Sequence, residues 1–344
     1  MKVAVVIVNY RTTPLIEGAL DSIRLGYRGK HDVRAVVVDG FSDDGSLPKL
    51  TSMLHQQRYR DWVELLALSL NGGFGWANNQ AILRLLQGSD PPEAIHLLNP
   101  DAELLCDSGT ALLDKLQSDP KIGAVGSQLI EPNGAFATSA FHFPTVIGEF
   151  GRGAGTGIVN RLLRLNRAAC PPASHAMQVD WVTGASVLLR ADALRDAGLF
   201  DDSFFLYHEE VELMWRLRLK GWTTWHEPRS RVLHQGGAAT GIREVTTAKS
   251  REQRPAYWYD SRRLLFNRIN GRGGAFGAAL AWSLGHGFWT ARRILRMQGR
   301  HLPIEGELKG VLRSCIRGFR DGPRRVTSWK DLPGAAPQWL EKLR

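Results

Sequence analysis

Two glutamates open the run HEEVELMWRLRLKGW, whose spacing predicts a helix over Glu209–Lys220, stopped by Gly221. Glu209, Glu212, Arg216 and Lys220 recur at i, i+3 and i+4, the pattern of a solvated salt-bridge face. Glu210 falls instead on the stripe of Leu213, Met214 and Leu217. A carboxylate on the apolar side of a helix start needs a partner or a task. Burial raises its pKa and the helix N-terminus lowers it, a balance that suits a general base. A capping carboxylate held by first-turn amides fits the same residues, and the helix alone does not separate the two.

Asp101 lies in LLNPDAEL, where Pro100 stiffens the turn that presents it. One carboxylate leaves most of the shell of Mg²⁺ or Mn²⁺ to phosphate oxygens and water. His234, after the strand-like Arg231–Leu233, can add a nitrogen that suits Mn²⁺ better than Ca²⁺, or can be structural. The loop Asn71-Gly72-Gly73-Phe74-Gly75 opens a helix, so its amides can meet a diphosphate or its glycines can serve a tight turn. It is neither GxGxxG nor a P-loop, which excludes a dinucleotide-dependent oxidoreductase. In Asp39-Gly40-Phe41-Ser42-Asp43-Asp44, Asp39 either closes an acidic turn or accepts a nucleobase N–H. An EF-hand is excluded because the twelfth position counted from Asp39 is Leu50.

The elements that must position these residues alternate. Val3–Val8, Ala35–Val38, Glu64–Ser69, Ile95–Leu98 and Gly123–Val125 read as strands. Helices are expected over Pro14–Leu25, Gly75–Leu86 and Ser108–Leu116, the last capped by Asp107. Such alternation predicts an open α/β sheet whose ligand lies beyond the carboxyl ends of the strands, where Asn9, Asp39, Asn71 and Asp101 converge. Residues 131–178, rich in Gly, Pro and Ala, read as a long excursion over the sheet edge. Val179–Arg190 reads as one strand with a Gly-Ala break, followed by a helix over Ala191–Ala197.

The succession VVIVNY, VVDGFSDDGS, NGGFGWANN, LLNPDAEL, WVTGASVLLR, FDDSFFLYHEEVELMWRLRLKGW and a later histidine resembles the inverting family-2 glycosyltransferases. It is most similar to their bacterial rhamnosyltransferase-type branch, which builds surface polysaccharides, and the likeness runs from residue 3 to about 240. The resemblance implies a GT-A (Rossmann-like) fold, a mixed, mostly parallel open sheet flanked by helices. By the same likeness, Asn9, Tyr10 and Asp39 line the base and ribose pocket, and Asn71, Gly72 and Gly73 border the nucleotide. Asp101 matches the last carboxylate of the family's Asp-x-Asp metal motif, His234 its late metal-binding histidine, and Glu210 its catalytic base. Trp181, Tyr207 and His208 are walls of the sugar and acceptor pocket or ordinary core aromatics. Three positions depart from the family pattern: Gly40 for an asparagine, Asn99 for the first metal-motif aspartate, and Glu209-Glu210 for a Glu-Asp pair.

The reaction so implied is a single displacement with inversion, from a nucleotide sugar onto a hydroxyl of a glycan or lipid-linked saccharide. dTDP-rhamnose is the expected donor, with UDP- and GDP-sugars as alternatives, and Mg²⁺ or Mn²⁺ as cofactor. A non-catalytic nucleotide-sugar-binding protein is the rival reading.

The chain has 344 residues, 43% hydrophobic and 23% charged, enough for a sizeable core without disulfides. Three scattered cysteines and a first apolar run with no small-residue cleavage site fit a cytoplasmic protein. Charge divides the chain in two. Residues 1–242 carry 23 Lys+Arg against 26 Asp+Glu, whereas residues 243–344 carry 21 against 8, a net of +13. We therefore expect a catalytic domain over 1–242 and a basic helical extension over 243–344. The extension lacks nucleic-acid-binding motifs. Within it, Ala275–Ala291 is apolar with basic flanks, so it either lies on an anionic membrane surface or packs on the protein or a second copy.

Overall fold

The computed structural model describes residues 1–27, 31–156, 161, 168–237, 254–271, 273–295, 304, 306–317 and 324–341. The first half alternates β1 (Lys2–Asn9), α1 (Thr13–Tyr27), β2 (Asp32–Asp39), α2 (Ser46–Leu54), β3 (Val63–Ala67), α3 (Phe74–Gln87) and β4 (Ala94–Leu98). β5 (Ala102–Leu104), α4 (Ser108–Gln117) and β6 (Ile122–Ile130) follow. Val3, Val5 and Ile7 of β1 join the core on one side of the sheet, with Ile16, Leu20 and Ile23 of α1 and Leu112 and Leu116 of α4. Ala4 and Val6 join the other core, with Ala81 and Ile82 of α3. A strand covered on both faces has no polar alternation, which is why its sequence is apolar throughout.

With β10 (Ser186–Arg190) and β11 (Thr223–His234) the strand order is β3-β2-β1-β4-β10-β6-β11-β5, and β8 (Met177–Val179) is added on β11. The pairs β3-β2, β2-β1, β1-β4 and β6-β11 are parallel. β10 (Ser186–Arg190) runs antiparallel between β4 and β6. This is the mixed, mostly parallel open sheet expected from the sequence.

Three local expectations are corrected. Val179–Arg190 is not one interrupted strand: β8 (Met177–Val179) pairs with β11 (Thr223–His234), β9 (Trp181–Val182) pairs with β7 (Ala140–Phe141), and β10 enters the main sheet. Asp107 stands at the N-cap of α4 but is left-handed (φ 61°), and its side chain makes no capping bond. The charged stripe of α7 (Glu209–Leu219) is not solvated, because Glu209, Glu212 and Arg216 are all buried. Arg216 pairs with Glu212 at 2.8 Å, and its remaining N–H groups donate to the carbonyls of Ala197, Gly198 and Leu199, just past α6 (Ala191–Ala197). A guanidinium that satisfies three orphan carbonyls belongs inside, so i, i+4 spacing alone misassigned this face.

Beyond residue 253 the described chain packs on the body. α8 (Ala256–Asn270) contributes Leu264 and Leu265 to the core that contains α7. α9 (Gly274–Ile294) crosses α5 (Val146–Ala154) at Gly153 and Gly285, where an added Cβ would lie 2.3 Å from the Trp282 carbonyl or 2.2 Å from the Phe150 carbonyl. Buried charges brace these helices: Glu149 of α5 pairs with Arg262 of α8, and Arg152 pairs with Glu307 of α10 (Glu307–Arg317) at 2.5 Å. The segment 324–341 lies along α3, with Asn79 donating to Thr327 and Gln87 to the Trp329 carbonyl. The expected division at 242/243 lies outside the described residues.

Candidate functional site

Parallel pairing brings the first cluster together. Asn9 and Asp39 are register partners at the ends of β1 and β2, and Asn9 Nδ2 donates to Asp39 Oδ1 at 2.8 Å. Ser42 Oγ donates to the same oxygen at 2.7 Å, and Asn9 Oδ1 accepts from Thr12. Asp39 is thus a fixed acceptor whose orientation is set before a ligand arrives. Tyr10 is half-buried beside it, with the Arg11 guanidinium 5.2 Å from its ring centre.

The second cluster forms through β5. Its antiparallel pairing with β11 sets His234 opposite Ala102, the neighbour of Asp101. His234 Nε2 lies 3.3 Å from Asp101 Oδ1, and the Gln235 N–H donates to the Asp101 carbonyl. Nε2 is buried without a hydrogen-bond partner among the described residues, which is costly unless something else fills that role. Two donors on one ion at about 2.1 Å lie roughly 3 Å apart, so this carboxylate and imidazole fit a divalent cation. No group of three His, Cys, Asp or Glu able to hold a metal occurs among the described residues. The rest of such a shell would have to come from ligand oxygens and water.

The third cluster joins the glycine loop to the start of α7. Gly73 (φ 87°) lies so close to the next loop that a Cβ would sit 1.9 Å from the Phe205 carbonyl, which accepts from the Phe74 N–H. Asn71 Oδ1 accepts from the Gly73 N–H, and the Gly72 carbonyl accepts from the Trp339 indole. Both expected readings of the loop therefore begin from a steric demand met by glycine. Phe205 leads through Tyr207 and His208 (each φ 71°) into Glu209 and Glu210. Burial, and then the charge of the neighbouring Glu210, push the Glu209 carboxyl well above the ordinary carboxylate range. Glu210 is half-buried. Burial, and then the Arg262 charge, pushes His208 down to about 3, so its ring is neutral at pH 7.

Contacts connect the clusters. Gly184 lies against Phe74, and the Ala185 carbonyl accepts from Asn99, two residues before Asp101. Trp181 stands apart: its ring stacks on Phe141 at 4.2 Å and its indole donates to the His142 carbonyl, so one face is already covered.

Sequence reasoning missed Ser42 and a run of strained backbone. Among the described residues, the non-glycine residues with positive φ are Arg11, Phe41, Asp43, Tyr207, His208 and Asp107. All but Asp107 flank Asn9, Asp39 or Glu209, the clustering expected where backbone strain is held for function. No residue type in those segments announces it.

The mixed sheet, with Asn9, Asp39 and Asp101 at the carboxyl ends of its strands, has the GT-A architecture of glycosyltransferases. Over 251 residues the chain is 31% identical to the N-acetylglucosaminyl-diphospho-decaprenol L-rhamnosyltransferase of Mycobacterium tuberculosis, covering 69% of this chain and 77% of the relative. It is 26% identical over 244 residues to the O-antigen biosynthesis protein RfbC of Myxococcus xanthus, covering 68% of this chain and 17% of that one. The fold matches the mannosyltransferase PcManGT of Pyrobaculum calidifontis, solved with GDP-Man and Mn²⁺ (TM-score 0.56, 14% identity, 94% of this chain and 88% of that chain). It also matches GalNAc-T7, solved with UDP, GalNAc and Mn²⁺ (TM-score 0.54, 13% identity, 96% of this chain and 55% of that chain). No family model matches. The chain belongs to the family-2 glycosyltransferases, in their rhamnosyltransferase-like branch.

Proposed function

We propose that this glycosyltransferase moves rhamnose from dTDP-rhamnose, with inversion, onto a hydroxyl of a lipid-linked saccharide in bacterial envelope polysaccharide synthesis. The observation that carries this reading is the 31% identity over 251 residues to a rhamnosyltransferase whose name states a diphospho-decaprenol acceptor.

Asn9, Tyr10 and Asp39 bind the nucleoside, and Asn71, Gly72 and Gly73 border it. Asp101 and His234 hold Mn²⁺ or Mg²⁺, which when bound supplies positive charge opposite the leaving diphosphate. Glu210 takes the proton from the acceptor hydroxyl as its oxygen attacks the anomeric carbon, a general-base contribution of ~10²–10⁴ in rate. Glu210 is the more exposed of the two glutamates, half-buried where Glu209 is buried, which suits it to meet an acceptor. Trp181, partly buried and stacked on Phe141, forms a wall of the sugar pocket.

A lipid-linked acceptor calls for access to a bilayer. Among the described residues, no helix is long and apolar enough to cross a membrane. On α9, Phe276, Leu280, Leu284 and Phe288 are exposed at four-residue spacing, a stripe roughly 18 Å long. Arg292 lies over Phe288 and Arg293 over Trp289 at its end. An apolar stripe ending in arginines matches an anionic, cytoplasmic leaflet, so we assign it to peripheral attachment there.

The test is incubation of the full chain with labelled dTDP-rhamnose, UDP-glucose or GDP-mannose and a polyprenyl-diphosphate N-acetylglucosamine acceptor. Rhamnosyl product of inverted anomeric configuration is expected from the first donor alone. Donor binding without transfer to any acceptor would support the non-catalytic reading instead.

A further inference from the structure

The basic extension contains a cavity of about 130 Å³ between the first turns of α8 and the body of α10. Its lining includes Arg254, Tyr259, Asp260, Lys309, Arg313 and Ser314. The two helices meet tightly beside it, since a Cβ on Gly310 would lie 2.4 Å from the Tyr259 ring. Ser314 Oγ donates to the Tyr259 carbonyl and fixes the approach.

The charges around the cavity are unbalanced. Asp260 is engaged by Arg263 at 2.5 Å. Glu307, at the start of α10, is engaged by Arg152 at 2.5 Å and lies 4.0 Å from Arg254. Lys309 and Arg313 make no ion pair among the described residues and share one face of α10 at i, i+4. Tyr259 is 4% exposed, yet its hydroxyl has no hydrogen-bond partner among the described residues. A buried hydroxyl without an acceptor is unfavourable, and an oxygen-rich anion in the cavity would supply the acceptor.

We infer that this cavity binds a phosphate group, with Lys309 and Arg313 neutralising its charge and Tyr259 donating to one of its oxygens. The group comes either from a soluble phosphate compound or from an anionic phospholipid headgroup. The site is separate from Asp101 and His234, but α8 ties it to the catalytic loop. Ser261 Oγ donates to the Leu206 carbonyl, and the Tyr257 ring stacks on Tyr207 with centres 6.1 Å apart. Occupancy next to Tyr259 therefore bears on the segment that carries Glu210.

The experiment is calorimetric titration of the full chain with pyrophosphate in EDTA, alongside co-sedimentation with phosphatidylglycerol and phosphatidylcholine vesicles. Wild type, Lys309→Gln/Arg313→Gln, Tyr259→Phe and Asp101→Asn are compared, with circular-dichroism melting to confirm folding. The wild type is expected to bind pyrophosphate one to one, and the double variant to bind it about tenfold more weakly or worse. Tyr259→Phe, which leaves the charge unchanged, is expected to weaken binding several-fold, and Asp101→Asn to leave it unaltered. The same ranking on phosphatidylglycerol vesicles, with no response to pyrophosphate, assigns the phosphate to a lipid. No wild-type binding in either arm overturns the site. So does equal binding by Tyr259→Phe, which marks a diffuse basic surface, or loss in Asp101→Asn, which marks the donor site.

Discussion

His234 Nε2 and Asp101 Oδ1 stand 3.3 Å apart, brought together from opposite halves of the catalytic chain by the short β5–β11 ladder. Neither residue's own strand could do this: β4 and β11 are separated in the sheet by β10 and β6. The three-residue β5, which turns back from the Asn99-Pro100-Asp101 corner to pair with β11, closes the gap.

This pair predicts a metal-dependent ligand response. Thermal unfolding with dTDP, UDP and GDP, each with and without Mn²⁺, is expected to show a Mn²⁺-dependent rise in Tm with dTDP. At 100 times Kd the stabilisation is about 2.7 kcal/mol. Asp101→Asn and His234→Ala should each remove the Mn²⁺ dependence without lowering the Tm of the free protein by a comparable amount. A dTDP response that is the same in EDTA would take metal binding away from these residues.

The buried Glu212–Arg216 pair predicts a stability effect without contact to substrate. Removing one partner leaves a charge stranded, and Arg216→Ala also orphans the carbonyls of Ala197, Gly198 and Leu199. A loss of about 3–5 kcal/mol in urea unfolding is expected. Lys220→Ala, at the exposed end of the same stripe, should change stability by less than about 0.5 kcal/mol.

His96 predicts a pH dependence. It lies fully inside the sheet between the Tyr27 hydroxyl (2.8 Å) and Ser186 Oγ (3.0 Å), and burial pushes it down to about 3. Between that value and the ordinary 6.5, the unfolded chain binds the proton and the folded chain does not. Stability therefore rises with pH across this window and falls on acidification, by about 1.4 kcal/mol per pH unit from this group. His96→Gln should lower the slope of unfolding free energy between pH 5 and 6 by about that amount. An unchanged slope would mean that His96 protonates in the folded state.

The exposed stripe of α9 predicts vesicle binding. Leu280→Ser/Leu284→Ser should reduce flotation with phosphatidylglycerol vesicles several-fold while leaving the Tm within about 2 °C, since both side chains face outward. Unchanged flotation would assign the attachment to another surface.

Much of this site was legible because its parts are strand ends. The apolar runs of β1 and β2 terminate in Asn9 and Asp39, and parallel register makes their meeting a consequence of sheet order. The Glu212–Arg216 pair was misread because i, i+4 charges look alike whether water or carbonyl oxygens surround them. The break of Val179–Arg190 into three strands depends on three different partners, each distant in the chain. The left-handed residues Phe41, Tyr207 and His208 were hidden because tertiary packing, not residue type, holds them there.

The central claim is that Glu210 is the base at a donor site it does not help to bind. The measurement is rhamnosyl transfer and dTDP affinity, side by side, for wild type and Glu210→Gln. The expected result is a fall in transfer of ~10² or more with the dissociation constant for dTDP unchanged within about twofold. Transfer by Glu210→Gln above about a tenth of wild type would contradict the assignment.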